Sequence, residues 1–372
     1  MKINVLHVYK TCFPYSQGGI EEVIEQLCRA TTRLGIRNKI VCISKQCRKR
    51  EILERPDATI YCYPMSFEIA SCGFSWPLWK DFKDLSEWAD VIHYQFPWPF
   101  ADFIALTRQP SCKPYIVSYQ SDIVRQNGLN KLYQPLMKRF LAKAASIVAT
   151  SQKYIVSSPV LSNLKERVTL IPNGIESDLN PAFYEKEKKK YESIYGRNFF
   201  LFIGVFRYYK GLNYLLEAAK QTGLEVVIAG DGAEAEILHQ FVQEHGLTNV
   251  HFLGRVTKQQ KYALIDIATA LILPSSERSE AYGMVLLEAA RQSTPMISTE
   301  LESGTSYINA HNETGLVVSP KNSSELAVAM GYMAENAHTI KSMSASAKNR
   351  FDNNFTGEIM GRRYAELYNS VL

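Results

Sequence analysis

Seven cysteines are present, Cys12, Cys28, Cys42, Cys47, Cys62, Cys72 and Cys112, yet no two form a Cys-x-x-Cys pair. An odd number without that spacing signals neither a disulfide framework nor a zinc site, so the thiols read as small core hydrophobes. Asp-x-Asp and His-Glu-x-x-His are also missing, so no metal or other cofactor is expected. There is no Gly-x-Ser-x-Gly elbow for a catalytic serine. No apolar run approaches the ~18 residues that would cross a bilayer. The opening Met1-Lys2-Ile3-Asn4-Val5-Leu6-His7-Val8 turns polar too early for a secretory signal and reads as a buried strand. A cytoplasmic location is the expectation. No groove-reading module or aromatic-basic array points to nucleic acid.

What remains is a chain of 372 residues, 46% hydrophobic and 21% charged, the composition of a soluble globular protein with room for two domains. The net charge of +5 is uneven: residues 1–180 sum to +7, so residues 181–372 sum to −2. The excess sits in Lys45-Gln46-Cys47-Arg48-Lys49-Arg50 and in Lys131, Lys138, Arg139 and Lys143. The second group shares a helical stretch with Leu132, Leu136, Met137, Phe140 and Leu141. A basic amphipathic helix suits an anionic lipid surface; a solvated helix packed on the core through its leucines has the same pattern.

Strand-length apolar runs alternate with helical patterns twice over. The first series is 3–8, 39–43, 91–94, 115–119 and 147–150, with a helix at 20–34 whose Ile20, Val23, Ile24, Leu27 and Leu34 share a face. The second restarts at 199–204 and continues through 225–229, 250–253, 268–273, 295–298 and 315–318. This alternation predicts α/β architecture, two doubly wound Rossmann-like domains facing across a cleft, with ligands beyond the carboxyl ends of the strands. The charged stretch Glu185-Lys186-Glu187-Lys188-Lys189-Lys190 places the boundary at 185/186, with a second domain of 186–355.

The most informative motif is Glu280-Ala281-Tyr282-Gly283-Met284-Val285-Leu286-Leu287-Glu288. A strand pattern precedes it, and a turn glycine then opens a helix. Free N–H groups at a helix start suit a diphosphate, and a carboxylate on that helix can accept both hydroxyls of a ribose diol. Two surface glutamates beside an ordinary strand–helix turn would read the same. Arg207-Tyr208-Tyr209-Lys210-Gly211 follows the first strand of the second series, where its two cations would neutralise a diphosphate and the charge that grows as it leaves. Gly18-Gly19-Ile20-Glu21 ends the loop after the first strand, where glycine lets a ligand approach the backbone. Gly230-Asp231-Gly232-Ala233-Glu234-Ala235 fits a dinucleotide fingerprint, but Asp231, Glu234 and Glu236 would repel a pyrophosphate, so a tight turn accounts for it better. His7 and His93 lie in strand patterns and read as strand-end or core residues.

In combination these motifs, with Ile171-Pro172-Asn173-Gly174-Ile175 and Glu313-Thr314-Gly315-Leu316-Val317, resemble the retaining glycosyltransferases of family 4, which have the GT-B fold. The resemblance covers nearly the whole chain. Leu6-His7-Val8-Tyr9-Lys10-Thr11, Phe67-Glu68-Ile69-Ala70-Ser71, Ser121-Asp122-Ile123-Val124 and Leu132-Tyr133-Gln134-Pro135-Leu136 are similar to a narrower branch, the bacterial O-antigen mannosyltransferases. That resemblance implies GDP-mannose as donor, a lipid-linked saccharide as acceptor, and work at the cytoplasmic face of the inner membrane; relatives that use UDP- or dTDP-sugars carry the same motifs, and a sugar-nucleotide-binding protein without turnover would keep the same fold. It implies that Arg207 and Lys210 hold the donor diphosphate, Glu288 the ribose, and Glu280 the transferred sugar. The backbone at Gly283, Met284, Val285 and Leu286 would meet the phosphates, with Gly18 and Gly19 closing on the donor from the first domain. Gln120, Asp122 and Asn173 would position sugar or acceptor. Many relatives have histidine where this chain has Gln120, and glutamine hydrogen-bonds a hydroxyl but takes up no proton. A C-terminal helix, 356–372, is expected to pack back on the first domain, 1–185.

Overall fold

The computed structural model describes residues 2–123 and 127–372, and for residues 127–131 the backbone only. Val124 of the branch resemblance and the Lys131 charge of the basic stretch therefore lie outside the described residues. The chain forms two compact units, one of Met1–Glu176 with Thr356–Leu372 and one of Ser177–Phe355.

In the first unit the strands are β1 (Asn4–Val8), β2 (Arg37–Ser44), β3 (Glu51–Glu54), β4 (Thr59–Pro64), a small hairpin of β5 (Phe67–Ile69) and β6 (Cys72–Phe74), β7 (Val91–Phe96), β8 (Tyr115–Tyr119), β9 (Ser146–Ala149) and β10 (Val168–Leu170). Its first helices are α1 (Gly19–Arg33), α2 (Trp76–Trp88), α3 (Pro99–Thr107), α4 (Asn127–Lys143) and α5 (Gln152–Ser157). The second unit has α6 (Glu185–Tyr195), β11 (Phe200–Ile203), α7 (Leu212–Thr222), β12 (Val226–Ala229), α8 (Ala235–Glu244), β13 (Val250–Gly254), α9 (Lys258–Ile267), β14 (Ala270–Leu273), α10 (Met284–Arg291), β15 (Met296–Thr299), α11 (Thr305–Ile308), β16 (Gly315–Val318), α12 (Ser323–Glu335) and α13 (Ala337–Asn354). The last helix, α14 (Gly357–Ser370), returns to the first unit.

The large sheet of the first unit runs β10-β9-β8-β7-β1-β2-β4-β3, parallel except where β3 joins β4. The sheet of the second unit runs β13-β12-β11-β14-β15-β16, parallel throughout. Strands covered by helices on both faces read as unbroken apolar runs, which is why β7, β8, β12 and β14 are buried along their whole length. Each sheet reverses its winding once, between β1 and β7 in one unit and between β11 and β14 in the other. Such switch points open a crevice at the carboxyl ends of the strands, where ligands of doubly wound folds bind.

The junction falls after Glu176, nine residues before the expected 185/186. The charged stretch is not a linker: Lys188 pairs with Asp266 at 2.7 Å, and the rings of Phe183 and Tyr184 pack on Tyr262. The sequence pattern also missed β3, β4, the hairpin and β10. The C-terminal helix completes the first core, where Met360, Tyr364 and Tyr368 pack with Val5, Leu27 and Val91. In α4, Met137, Phe140 and Leu141 are buried, whereas Leu132, Lys138, Arg139 and Lys143 face solvent. Among the described residues no helix is long and apolar enough to cross a membrane.

Candidate active site

The second unit gathers its site at the β11/β14 switch point. After β11 the chain makes one 3-10 turn, Tyr208–Lys210, then enters α7 through Gly211. Gly211 has φ +66°, and a Cβ there would sit 2.1 Å from the Pro274 carbonyl oxygen at the end of β14. Only glycine lets these two loops lie this close. The Ser276 N–H donates to the Tyr209 carbonyl at 2.7 Å, fixing the same approach. Lys210 and Glu280, seventy residues apart, therefore meet: Nζ to Oε2 is 2.5 Å, with both side chains about nine-tenths buried. Ser275 Oγ also donates to Glu280 Oε2, at 3.0 Å. Burial alone would lower the Lys210 pKa, but the Glu280 carboxylate outweighs it, and the value lies above that of an ordinary lysine. The Arg207 guanidinium pushes the other way and lies exposed at the mouth of the loop.

The acidic loop is held from behind by a segment that sequence reasoning missed. Ser303 Oγ donates to the Glu280 carbonyl at 3.0 Å and the Gly304 N–H to the Ala281 carbonyl at 2.8 Å. Thr299 Oγ1 donates to the Ser275 carbonyl at 2.5 Å. Small hydroxyls after a buried strand were the available signal. Gly283 then caps α10 with φ +82°, a left-handed turn that favours glycine. The N–H groups of Met284 and Val285 head the helix, and the Leu286 N–H is taken by the Gly283 carbonyl at 2.9 Å. Glu288 follows Met284 by one turn and is buried, its Oε1 2.5 Å from Lys261 Nζ on α9. Lys261, too, is a residue the sequence reading did not single out. The Gly230–Gly232 turn proves structural: Gly232 bridges to Phe206, and Asp231 pairs with Arg255.

The first unit places its candidates around the β1/β7 switch point. Gly18 and Gly19 open α1, and beneath them the buried Glu21 accepts from Thr11 Oγ1 at 2.8 Å and from Ser16 Oγ at 3.0 Å. Glu21 thus shapes the glycine loop. Gln120 lies just beyond β8, buried, with Nε2 donating to Gln95 Oε1 at 2.9 Å and Oε1 accepting from Asn173 Nδ2 at 3.4 Å. Asp122 Oδ1 accepts from Tyr119 Oη at 2.9 Å and Ser158 Oγ at 2.6 Å, which makes it an anchor for its own loop. The buried His7 and His93 sit side by side, rings 5.1 Å apart. Burial holds His7 down at about 4 and His93 well below the usual imidazole value. Among the described residues no group of three or more His, Cys, Asp or Glu side chains could hold a metal ion.

Two doubly wound units, one with buried cation–carboxylate pairs and a helix start at its switch point, are the parts expected of the GT-B fold. Residues 17–179 match Glycosyltransferase Family 4 and residues 183–350 match Glycosyl transferases group 1, and the chain belongs to this family. It is 40% identical over 372 residues to the O-antigen chain mannosyltransferase C of Escherichia coli, covering 100% of this chain and 99% of that one. It is 41% identical over 354 residues to the D-rhamnosyltransferase WbpZ of Pseudomonas aeruginosa, covering 95% and 92%. Among solved structures, sucrose-phosphate synthase from Thermosynechococcus elongatus superposes with a TM-score of 0.81 at 18% identity, covering 100% and 99% of the two chains. At that identity the likeness is one of fold.

Proposed function

We propose that the protein transfers a hexose, mannose from GDP-mannose, with retention onto a lipid-linked saccharide in O-antigen synthesis. The observation that carries this reading is the buried Lys210–Glu280 pair beside Arg207 and the start of α10. The second unit binds the donor: Arg207, Lys210 and the Met284 and Val285 amides face the diphosphate, Glu288 the ribose hydroxyls and Glu280 the sugar. The first unit holds the acceptor, with Gln120 and Asn173 positioning hydroxyls.

In the reaction the bond from the sugar C1 to the phosphate oxygen breaks, and its electron pair leaves with the diphosphate. The acceptor oxygen attacks C1 from the same face, and its proton passes to the departing phosphate. The sugar is oxocarbenium-like in between. Arg207 and Lys210 oppose charge that grows only as the bond breaks, so they lower the barrier more than they tighten ground-state binding. Glu280 keeps Lys210 charged and aimed.

The mannose assignment draws support from the Escherichia coli relative. A second reading, transfer of the deoxyhexose D-rhamnose, draws equal support from the Pseudomonas relative. Incubation with each GDP-sugar and a synthetic lipid-diphosphate saccharide, read by mass spectrometry, separates them. A mass gain of one hexose is expected; a deoxyhexose gain alone gives the second reading, and no product with any donor removes both. The reading extends to contact with an anionic membrane, for which the exposed basic residues of α4 are the support. Reversing the charge of Lys138, Arg139 and Lys143 together should reduce sedimentation with phosphatidylglycerol vesicles at least threefold, and unchanged sedimentation would refute that contact.

A further inference from the structure

A buried chain of hydrogen bonds joins the C-terminal helix to the candidate site of the first unit. Tyr368 Oη lies 2.8 Å from His93 Nδ1. On the other side of the ring, Nε2 meets Ser118 Oγ at 2.7 Å and Gln95 Nε2 at 3.3 Å. Ser118 Oγ in turn meets Tyr364 Oη at 2.7 Å. Gln95 Oε1 accepts from Gln120 Nε2 at 2.9 Å, and Gln120 Oε1 accepts from Asn173 Nδ2 at 3.4 Å. Every member from Tyr368 to Asn173 is buried, Gln120 the least so with 7% of its surface exposed.

The chain has a direction, and one ring sets it. A carboxamide nitrogen only donates, so the Gln95 nitrogen requires His93 Nε2 to be an acceptor. Burial keeps the imidazole neutral, with a single N–H, which must then be on Nδ1 and donate to Tyr368. Were the proton on Nε2 instead, Gln95 would turn its carbonyl to the ring and its NH2 to Gln120. Gln120 would have to turn as well, and offer Asn173 its nitrogen. The tautomer of a histidine two residues before Gln95 on β7 thus fixes which end of the Gln120 amide points where. Nothing in catalysis as described above uses His93 or Tyr368, and a buried imidazole is a costly way to fill a core.

Accepting that Gln120 positions a sugar hydroxyl, we infer that Tyr368, His93 and Gln95 are positioning residues that lock the Gln120 carboxamide in one of its two orientations. The C-terminal helix thereby governs the polarity of a group at the carboxyl ends of the strands. Tyr364, through Ser118, steadies the same ring.

The experiment is a double-mutant cycle. Tyr368→Phe removes the acceptor of the Nδ1 proton while keeping the ring packing. It should lower kcat about tenfold, the worth of one mis-set hydrogen bond, with KM for GDP-mannose changed less than about twofold. In a Gln120→Ala background the same change should cost nothing further, because the group it acts through is gone. Gln95→Ala, which cuts the chain between the ring and Gln120 and leaves the Tyr368 contact in place, should behave alike and serves if Tyr368→Phe folds poorly. Losses that multiply in the double variants would overturn the inference, as a merely structural role predicts them. Nitrogen-15 NMR of the histidines supplies a readout independent of turnover: His93 should carry its proton on Nδ1, moving to Nε2 in Tyr368→Phe. A wild-type protein that transfers no sugar would end the glycosyltransfer reading and leave the relay to this spectrum alone, where an Nε2 proton in the wild type would sink it.

Discussion

The two candidate sites stand at equivalent places, each at the reversal of a parallel sheet, yet they are made of opposite materials. In the second unit the buried polar groups are full charges in pairs, Lys210 with Glu280 and Lys261 with Glu288. In the first the groups around Gln120 are neutral, amides, hydroxyls and two uncharged imidazoles, while the carboxylates of Glu21 and Asp122 serve only to hold their own loops. Buried charge is tolerated only when paired and hydrogen-bonded. Neutral groups, by contrast, recognise hydroxyls by direction and need no counter-charge. A nucleotide diphosphate suits the first kind of site and a saccharide suits the second.

The contrast can be broken most sharply at Lys210. Lys210→Met strands the Glu280 carboxylate in a buried site and removes a cation from the diphosphate. Turnover should fall on the order of a hundred- to a thousandfold, against about tenfold for Gln120→Ala. Equal losses in a steady-state assay would show that the charged site holds no privileged role. The neutral site can be stressed by acid. His7 and His93 have folded pKa values below the unfolded value near 6.5, so the unfolded chain binds more protons as pH falls. Stability should therefore be full above pH 6.5 and decline toward pH 4, by roughly 3 kcal/mol from His7 alone. Urea melts of the protein and of His7→Asn at pH 7 and pH 4.5 would check it; a slope unchanged by the substitution would count against the buried imidazoles. The smallest effect is expected at Lys261→Met, which should weaken GDP binding about fivefold in calorimetry by releasing Glu288 from its fixed position. The exposed neighbour Lys258→Met should leave binding unchanged, and parity between the two would remove Lys261 from the site.

How far the chain could be read in advance follows from this physics. Strands such as β7, β12 and β14 are apolar throughout because both faces are covered, and they are legible without a structure. β3 is exposed at every position, an edge strand whose Glu-Ile-Leu-Glu has no buried face to betray it. β4, flanked by Pro56 and ending at Pro64, looks like a turn region until its neighbours β2 and β3 are seen. Glu280, Glu288 and the Arg207–Lys210 turn could be found because each lies in a short local motif. Lys261 could not: on α9 it looks like one more solvated lysine, and only folding brings it to a carboxylate twenty-seven residues away. Nor could the His93 relay, whose partners come from a neighbouring strand and from the far helix α14.

That far end has a consequence for biosynthesis. Because Tyr364 and Tyr368 belong to the first unit's interior, the unit whose strands leave the ribosome first cannot finish its core until α14 has emerged. The half made later has all its parts at hand sooner. Order of synthesis and order of completion are thus inverted, and a polypeptide cut before the last two turns of α14 would expose a greasy seam to the cell's proteases.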